Sequence, residues 1–184
     1  MKNLPSNKLF EKNRSKLKHQ LQKNSIVIFF SNQNMPRNGD QMHPYRENSD
    51  FFYFTGIEQE NSALILTCTE EYLFIEEQTE NNKLWEGEKL TQEKANKISG
   101  IQNIDSITAL EKTFASLTSD KQHVLFNIQQ PIQKKALKTT DEFFFNEYRK
   151  KFPFLSYHTV NGIIKKLRLK KEYEEIELIK QGIG

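Results

Sequence analysis

The chain has 184 residues, a net charge of +3, 28% charged residues and a single cysteine, Cys68. That length suits one ordinary domain able to bury about 70% of its unfolded surface, with fourteen Phe and six Tyr to fill a core. So weak a charge gives no ground for a nucleic-acid partner, one cysteine excludes an internal disulfide or a cysteine-based zinc cluster, and no apolar run reaches the roughly 20 residues of a membrane span.

The first thirty residues are rich in Lys and Asn, with no apolar core before Ile26, so no signal peptide is expected. With the lone cysteine this fits a reducing cytoplasm. Pro5-Ser6 is a helix start, and Leu9, Phe10, Leu17 and Leu21 share a face after it. Residues 25–30 form a continuous apolar run, read as a buried strand. Pro36, Gly39, Pro44 and several Asn make residues 32–48 a long loop. Four aromatics without polar alternation, Phe51-Phe52-Tyr53-Phe54, predict a strand over 51–55 covered on both faces. Residues 63–66 and 72–75 read as two strands, with 69–71 short enough for a hairpin.

Residues 76–90 are polar and acidic, broken by Leu84-Trp85 and Gly87. Thr91 caps a predicted helix to about Ser99; Leu110, Phe114 and Leu117 mark another. Residues 123–126 read as a strand, and 155–160 as a last one. The strongest helical spacing runs over 133–151, with Leu137, Phe144, Tyr148 and Phe152 on one face. Helices interleaved with strands predict an α/β fold. The basic stretch 163–171 reads as a solvated linker helix. It leads into a helix whose Ile176, Ile179 and Ile183 form a stripe in need of a partner.

Little chemistry is visible. No Gly-x-Ser-x-Gly and no Gly-rich phosphate loop occur, and Cys68 has no His near it in sequence. His19, His43, His123 and His158 form no metal-binding pair by spacing. Asp40 and His43, with Asp50 nearby, are weak candidate ligands, because such a spacing in a loop arises by chance. The Phe143-Phe144-Phe145 cluster is better explained by a helix packed on a sheet than by a ligand platform. Trp85, the sole Trp, reads as an exposed contact residue or as a cap on the core.

Several strings occur together: Asp40-x-x-His43-Pro44-Tyr45-Arg46, then Asn48-Ser49-Asp50-Phe51-x-Tyr53-x-Thr55-Gly56, the Ala63–Leu66 run, and Trp85-x-Gly87. In this order they resemble the N-terminal domain of Xaa-Pro aminopeptidases (aminopeptidase P), in the creatinase/prolidase-like metallopeptidase superfamily. The likeness is specific over about 40–87 and diffuse over 90–160. The segment Leu167-Arg168-Leu169-Lys170-Lys171, followed by Glu174-Glu175-Ile176, is similar to the family's bridge into its catalytic domain. One departure stands out: the family's Glu-Pro after Thr-Gly is Gln59-Glu60 here, which puts the local turn in doubt.

The resemblance implies a mixed β-sheet flanked by helices, the creatinase N-terminal, ribonuclease-H-like fold. It implies an aminopeptidase P N-terminal domain over 1–162, and over 163–184 a linker and the start of a catalytic domain. No catalytic residue and no metal ligand are assigned within this chain. In the full-length enzyme two divalent ions, commonly manganese, are held by two Asp, one His and two Glu in the C-terminal domain. There they hydrolyse the bond before proline. The implied partners are the chain's own catalytic domain, further copies in a homo-oligomer, and Xaa-Pro peptides, with neither nucleic acid nor membrane. Trp85 is expected to face a neighbouring subunit's substrate pocket. The alternatives are a non-catalytic scaffold of the same superfamily and a prolidase- or creatinase-type N-terminal domain.

Overall fold

The computed structural model describes residues 6–78, 89–128 and 139–183. Its strands are β1 (Ser25–Phe30), β2 (Pro36–Asn38), β3 (Gln41–Met42), β4 (Ala63–Leu66), β5 (Glu71–Ile75), β6 (Asn103–Ser106), β7 (His123–Phe126) and β8 (Ser156–Thr159). The helices are α1 (Asn7–Lys18), α2 (Ser49–Thr55), α3 (Gln92–Ser99), α4 (Leu110–Leu117), α5 (Thr140–Lys151), α6 (Asn161–Leu169) and α7 (Tyr173–Ile183). A six-stranded mixed sheet runs β6-β5-β4-β1-β7-β8, and β2 and β3 form a separate small ladder. The two ladder strands lie within the stretch expected to be loop.

β1 organises the molecule. All six of its residues are buried, as expected of a strand covered on both faces. It pairs antiparallel with β4, Val27 opposite Leu66, and parallel with β7, Val27 beside Leu125. Alternation sends Val27 and Phe29 to one face, where they meet Phe51, Phe54, Leu64, Leu73, Ile101, Ile164 and Leu167. Ile26, Ile28 and Phe30 face the opposite way and meet Phe74, Phe114, Val124, Phe126 and Tyr148. Helices therefore cover both sides of one sheet. The hairpin joining β4 to β5 closes on Thr67, whose Oγ1 accepts from the Glu70 N–H at 2.9 Å. In β7, Val124 and Phe126 are buried and Leu125 is half-buried.

The aromatic run is a helix and not a strand. Asn48 Oδ1 accepts from the Asp50 and Phe51 N–H groups and starts α2. Gly56, at φ +68°, ends it in the left-handed region. Phe51, Tyr53, Phe54 and Thr55 are buried. Packing around most of the helix erases the polar face that would have announced its period.

Most other expected elements form close to where the sequence places them, but α5 begins at Thr140, after an extended Thr139, rather than near 133, and β6 was not expected. Thr91 Oγ1 caps α3 through the Lys94 N–H, and Gly100 terminates it. Thr139 and Glu142 form a reciprocal capping box at the start of α5. Residues 133–138 of that predicted helix, Leu137 among them, lie outside the described residues. From α5, Phe144 stacks on Phe30 with centroids 4.1 Å apart, and Phe145 packs edge-on against Phe126 at 5.5 Å. Phe143 points out, so the triple Phe is mainly a helix-on-sheet contact. On α6, Ile164 and Leu167 enter the core while Lys165 and Lys166 face solvent.

Candidate functional site

Positioning of the site begins with α2, because polar groups from distant segments hold both of its ends. At its C-terminus Asn13 donates to the Tyr53 carbonyl at 3.1 Å and Arg14 to the Phe54 carbonyl at 2.8 Å. These would otherwise be orphan carbonyls at a helix end. Arg14 is buried and also donates to Glu71 at 2.8 Å. Burial lowers the Arg14 pKa, with Glu71 opposing.

Before the N-terminus of α2 stands Glu47. Its carboxylate accepts from the N–H groups of Asn32 at 2.8 Å, Asn48 at 2.7 Å and Gln59 at 3.3 Å, and from the Tyr45 hydroxyl at 2.7 Å. Burial raises the Glu47 pKa, with these bonds opposing. Gln59, at the departure from the family pattern, accepts from the Leu90 N–H at 2.7 Å and donates to the Glu76 carbonyl at 3.2 Å. The Gln therefore ties this turn to two other segments.

Within α2, Asp50 is the centre of a buried polar cluster. Asn127, just past β7, donates to Asp50 Oδ2 at 3.0 Å. Arg168 of α6 pairs with Asp50 Oδ1, donates to Ser49 Oγ at 3.3 Å, and sets its guanidinium 5.4 Å above the Tyr53 ring. Asn48 donates to Asp141 Oδ2 at 3.3 Å, at the start of α5. Burial holds the Asp141 carboxyl well above the usual carboxylate range. A backbone hydrogen bond at Phe30 opposes the shift, and the Asp50 charge adds to it. Among the described residues, Asn127 Oδ1, Asn161 Oδ1 and Asp141 Oδ1 are buried acceptors with no hydrogen-bond partner.

A groove of about 1130 Å³ opens over this cluster, lined by Asp50, Asn127, Tyr157, Asn161, Lys165 and Arg168 among others. It lies beyond the carboxyl ends of the parallel strands β7 and β8, where open α/β sheets commonly bind ligands. A second groove of about 730 Å³ runs between α1, α2 and α7, with Phe10, Phe52, Tyr53 and Ile179 in its walls. Burial raises the Tyr53 hydroxyl to about 12.

The larger groove sets the Asp50 and Asn127 acceptors beside the Lys165 and Arg168 cations. Among the described residues no group of three or more His, Cys, Asp or Glu could hold an ion. Asp40 lies in the turn between β2 and β3, His43 follows β3, and both are exposed. Trp85 and Gly87 lie outside the described residues. Among the described residues no helix is long and apolar enough to cross a membrane.

Residues 10–126 match the family described as aminopeptidase P, N-terminal domain. The chain belongs to that family. It is 32% identical over 118 residues to an Xaa-Pro aminopeptidase of Haemophilus influenzae, covering 60% of this chain and 27% of that one. To Xaa-Pro aminopeptidase 3 of Dictyostelium discoideum it is 28% identical over 188 residues, covering 94% and 33%. A structure assigned as an aminopeptidase P from Bacillus anthracis superposes with a TM-score of 0.88 at 31% identity, covering 96% of this chain and 43% of that one. The chain thus spans less than half the length of these relatives. The mixed sheet flanked by helices is the fold of the aminopeptidase P N-terminal domain.

Asp50 and Arg168 both stand in strings that the family resemblance singled out, yet nothing in the sequence pairs them. Asn127, Asp141 and Asn161 carried no signal beyond their residue type.

Proposed function

We propose that this chain serves as the N-terminal domain of an Xaa-Pro aminopeptidase whose hydrolytic centre, with two divalent ions such as manganese, lies in a further domain. The observation that carries this reading is the family match over residues 10–126, with relatives named Xaa-Pro aminopeptidases that extend well beyond the aligned part. In this reading residues 1–162 are the domain proper and 163–184 lead into the catalytic part. The domain supports assembly of a homo-oligomer in the cytoplasm and narrows the approach of Xaa-Pro peptides. Buried acceptors beside Lys165 and Arg168 suit a surface that meets a peptide or the catalytic domain. Trp85 supplies an aromatic wall for proline in a neighbouring subunit's pocket.

The test compares this chain with a full-length protein containing it, on an Xaa-Pro peptide with manganese. The full-length protein should release the first residue, and this chain should match a metal-only control. Turnover by this chain alone, or none by the full-length protein, overturns the reading. For Trp85, a Trp85→Ala change in the full-length protein should weaken catalysis and leave the melting temperature nearly unchanged. A large loss of stability instead would place Trp85 in the core.

A further inference from the structure

His123 opens β7 and His158 stands in β8, its parallel neighbour. The register sets His123 beside Ser156 and Leu125 beside His158, so the two histidines are diagonal neighbours on one face. His123 Nδ1 and His158 Nε2 are 3.1 Å apart, with ring centroids at 5.2 Å and planes at 48°. β8 is an edge strand. His158 is exposed and forms part of the wall of the larger groove, while His123 is half-buried.

Two ring nitrogens at this spacing can share one proton or grip one ion. An ion with bonds of about 2.0–2.1 Å to each, at a right or tetrahedral angle, sets the nitrogens roughly 2.9–3.4 Å apart. We propose that His123 and His158 form a two-imidazole site for a borderline divalent transition ion such as Zn²⁺, Ni²⁺ or Cu²⁺. Imidazole favours these ions, whereas Mg²⁺, Ca²⁺ and Mn²⁺ prefer oxygen ligands. The ion displaces the proton between the rings and lies to one side of the N···N line, since two such bonds cannot be collinear across 3.1 Å. His123 binds through Nδ1 with its proton on Nε2, and His158 binds through Nε2 with its proton on Nδ1. No third His, Cys, Asp or Glu joins the pair among the described residues. Water therefore fills the remaining positions, and the exposed edge admits both. Such a site is open to exchange, as a structural four-ligand zinc site is not.

The test titrates the metal-free chain with ZnCl₂ and, separately, MnCl₂ by calorimetry, and follows the imidazole nitrogens by NMR. The expected result is one Zn²⁺ per chain, no binding of Mn²⁺, and Zn²⁺-dependent shifts confined to His123 and His158. His158→Ala and His123→Ala should each weaken Zn²⁺ binding by roughly tenfold or more. His19→Ala and His43→Ala should leave it unchanged. His158 is exposed, so its variant should keep the parental circular dichroism and melt, and both are recorded as controls. Absence of Zn²⁺ binding, binding that survives His158→Ala, or rings that keep their shared proton in Zn²⁺ would each overturn the proposal.

Discussion

Asp50 and Arg168, 118 residues apart in sequence, form an ion pair that clasps the start of α2 to the last turn of α6. Asp50 is almost wholly buried and Arg168 is partly exposed, so the aspartate depends on its partners more than the arginine does. Changing Arg168 to Met keeps the aliphatic stem and removes the charge. The expected loss is about 1–3 kcal/mol, the cost of leaving a buried charge short of a partner. Urea denaturation of the two proteins measures it, and an unchanged midpoint would show that Asn127 and its other contacts suffice for Asp50.

Leu64 is fully buried in the sheet, and Leu64→Ala should cost about 2–5 kcal/mol. At Gly56 a methyl group would clash with the Phe10 ring, on a backbone with φ +68°. Gly56→Ala should therefore cost about 1–3 kcal/mol, even though it adds only one carbon. A melt equal to the parent's would show that α1 can yield to make room.

Asp141 sets a pH dependence whose sign follows from burial. Its folded pKa lies above the unfolded value of about 3.9, so the folded state binds the proton more tightly. That stability is present below the unfolded value and is lost as pH rises through the raised one. Asp141→Asn should flatten this fall. A parallel pH profile for the two proteins, by urea midpoint, would show that Asp141 is not its source.

Glu172 behaves in the opposite sense. Hydrogen bonds from Lys12 and Lys16 of α1 pull its pKa down to about 2. The stability it contributes is present above the unfolded value and is lost as pH falls towards 2. Lys12 is exposed, so solvent and salt screen part of this contribution. Hydrogen-exchange protection in α7, corrected for the intrinsic pH dependence of amide exchange, should fall on acidification in the parent and change little in Glu172→Gln. Equal acid sensitivity in both would assign the anchoring of α7 to its apolar contacts.

What the sequence made legible was what local chemistry decides. The β1 run, the Thr91 cap and the short turn at 69–71 each announce themselves within a few residues. The 51–55 run misled because a helix buried nearly all round looks apolar at every step, as a buried strand does. The decisive signals stood at its ends, in Asn48 and Gly56. The Asp50 cluster was illegible for a different reason. Its members come from α2, α5, α6 and the end of β7, and no local pattern records which distant side chains converge.

The position of β1 at the centre of the sheet also orders events during synthesis. Its antiparallel partner β4 follows within the next forty residues of chain, but its parallel partner β7 begins only at His123. Until the segment holding β7 leaves the ribosome, one side of β1 is an open edge of unpaired N–H and C=O groups flanked by apolar side chains. Such an edge can pair with another nascent chain, and contacts this distant in sequence form late. This stretch of translation is where the chain is most exposed to misassembly, and where a chaperone that shields strand edges would matter most.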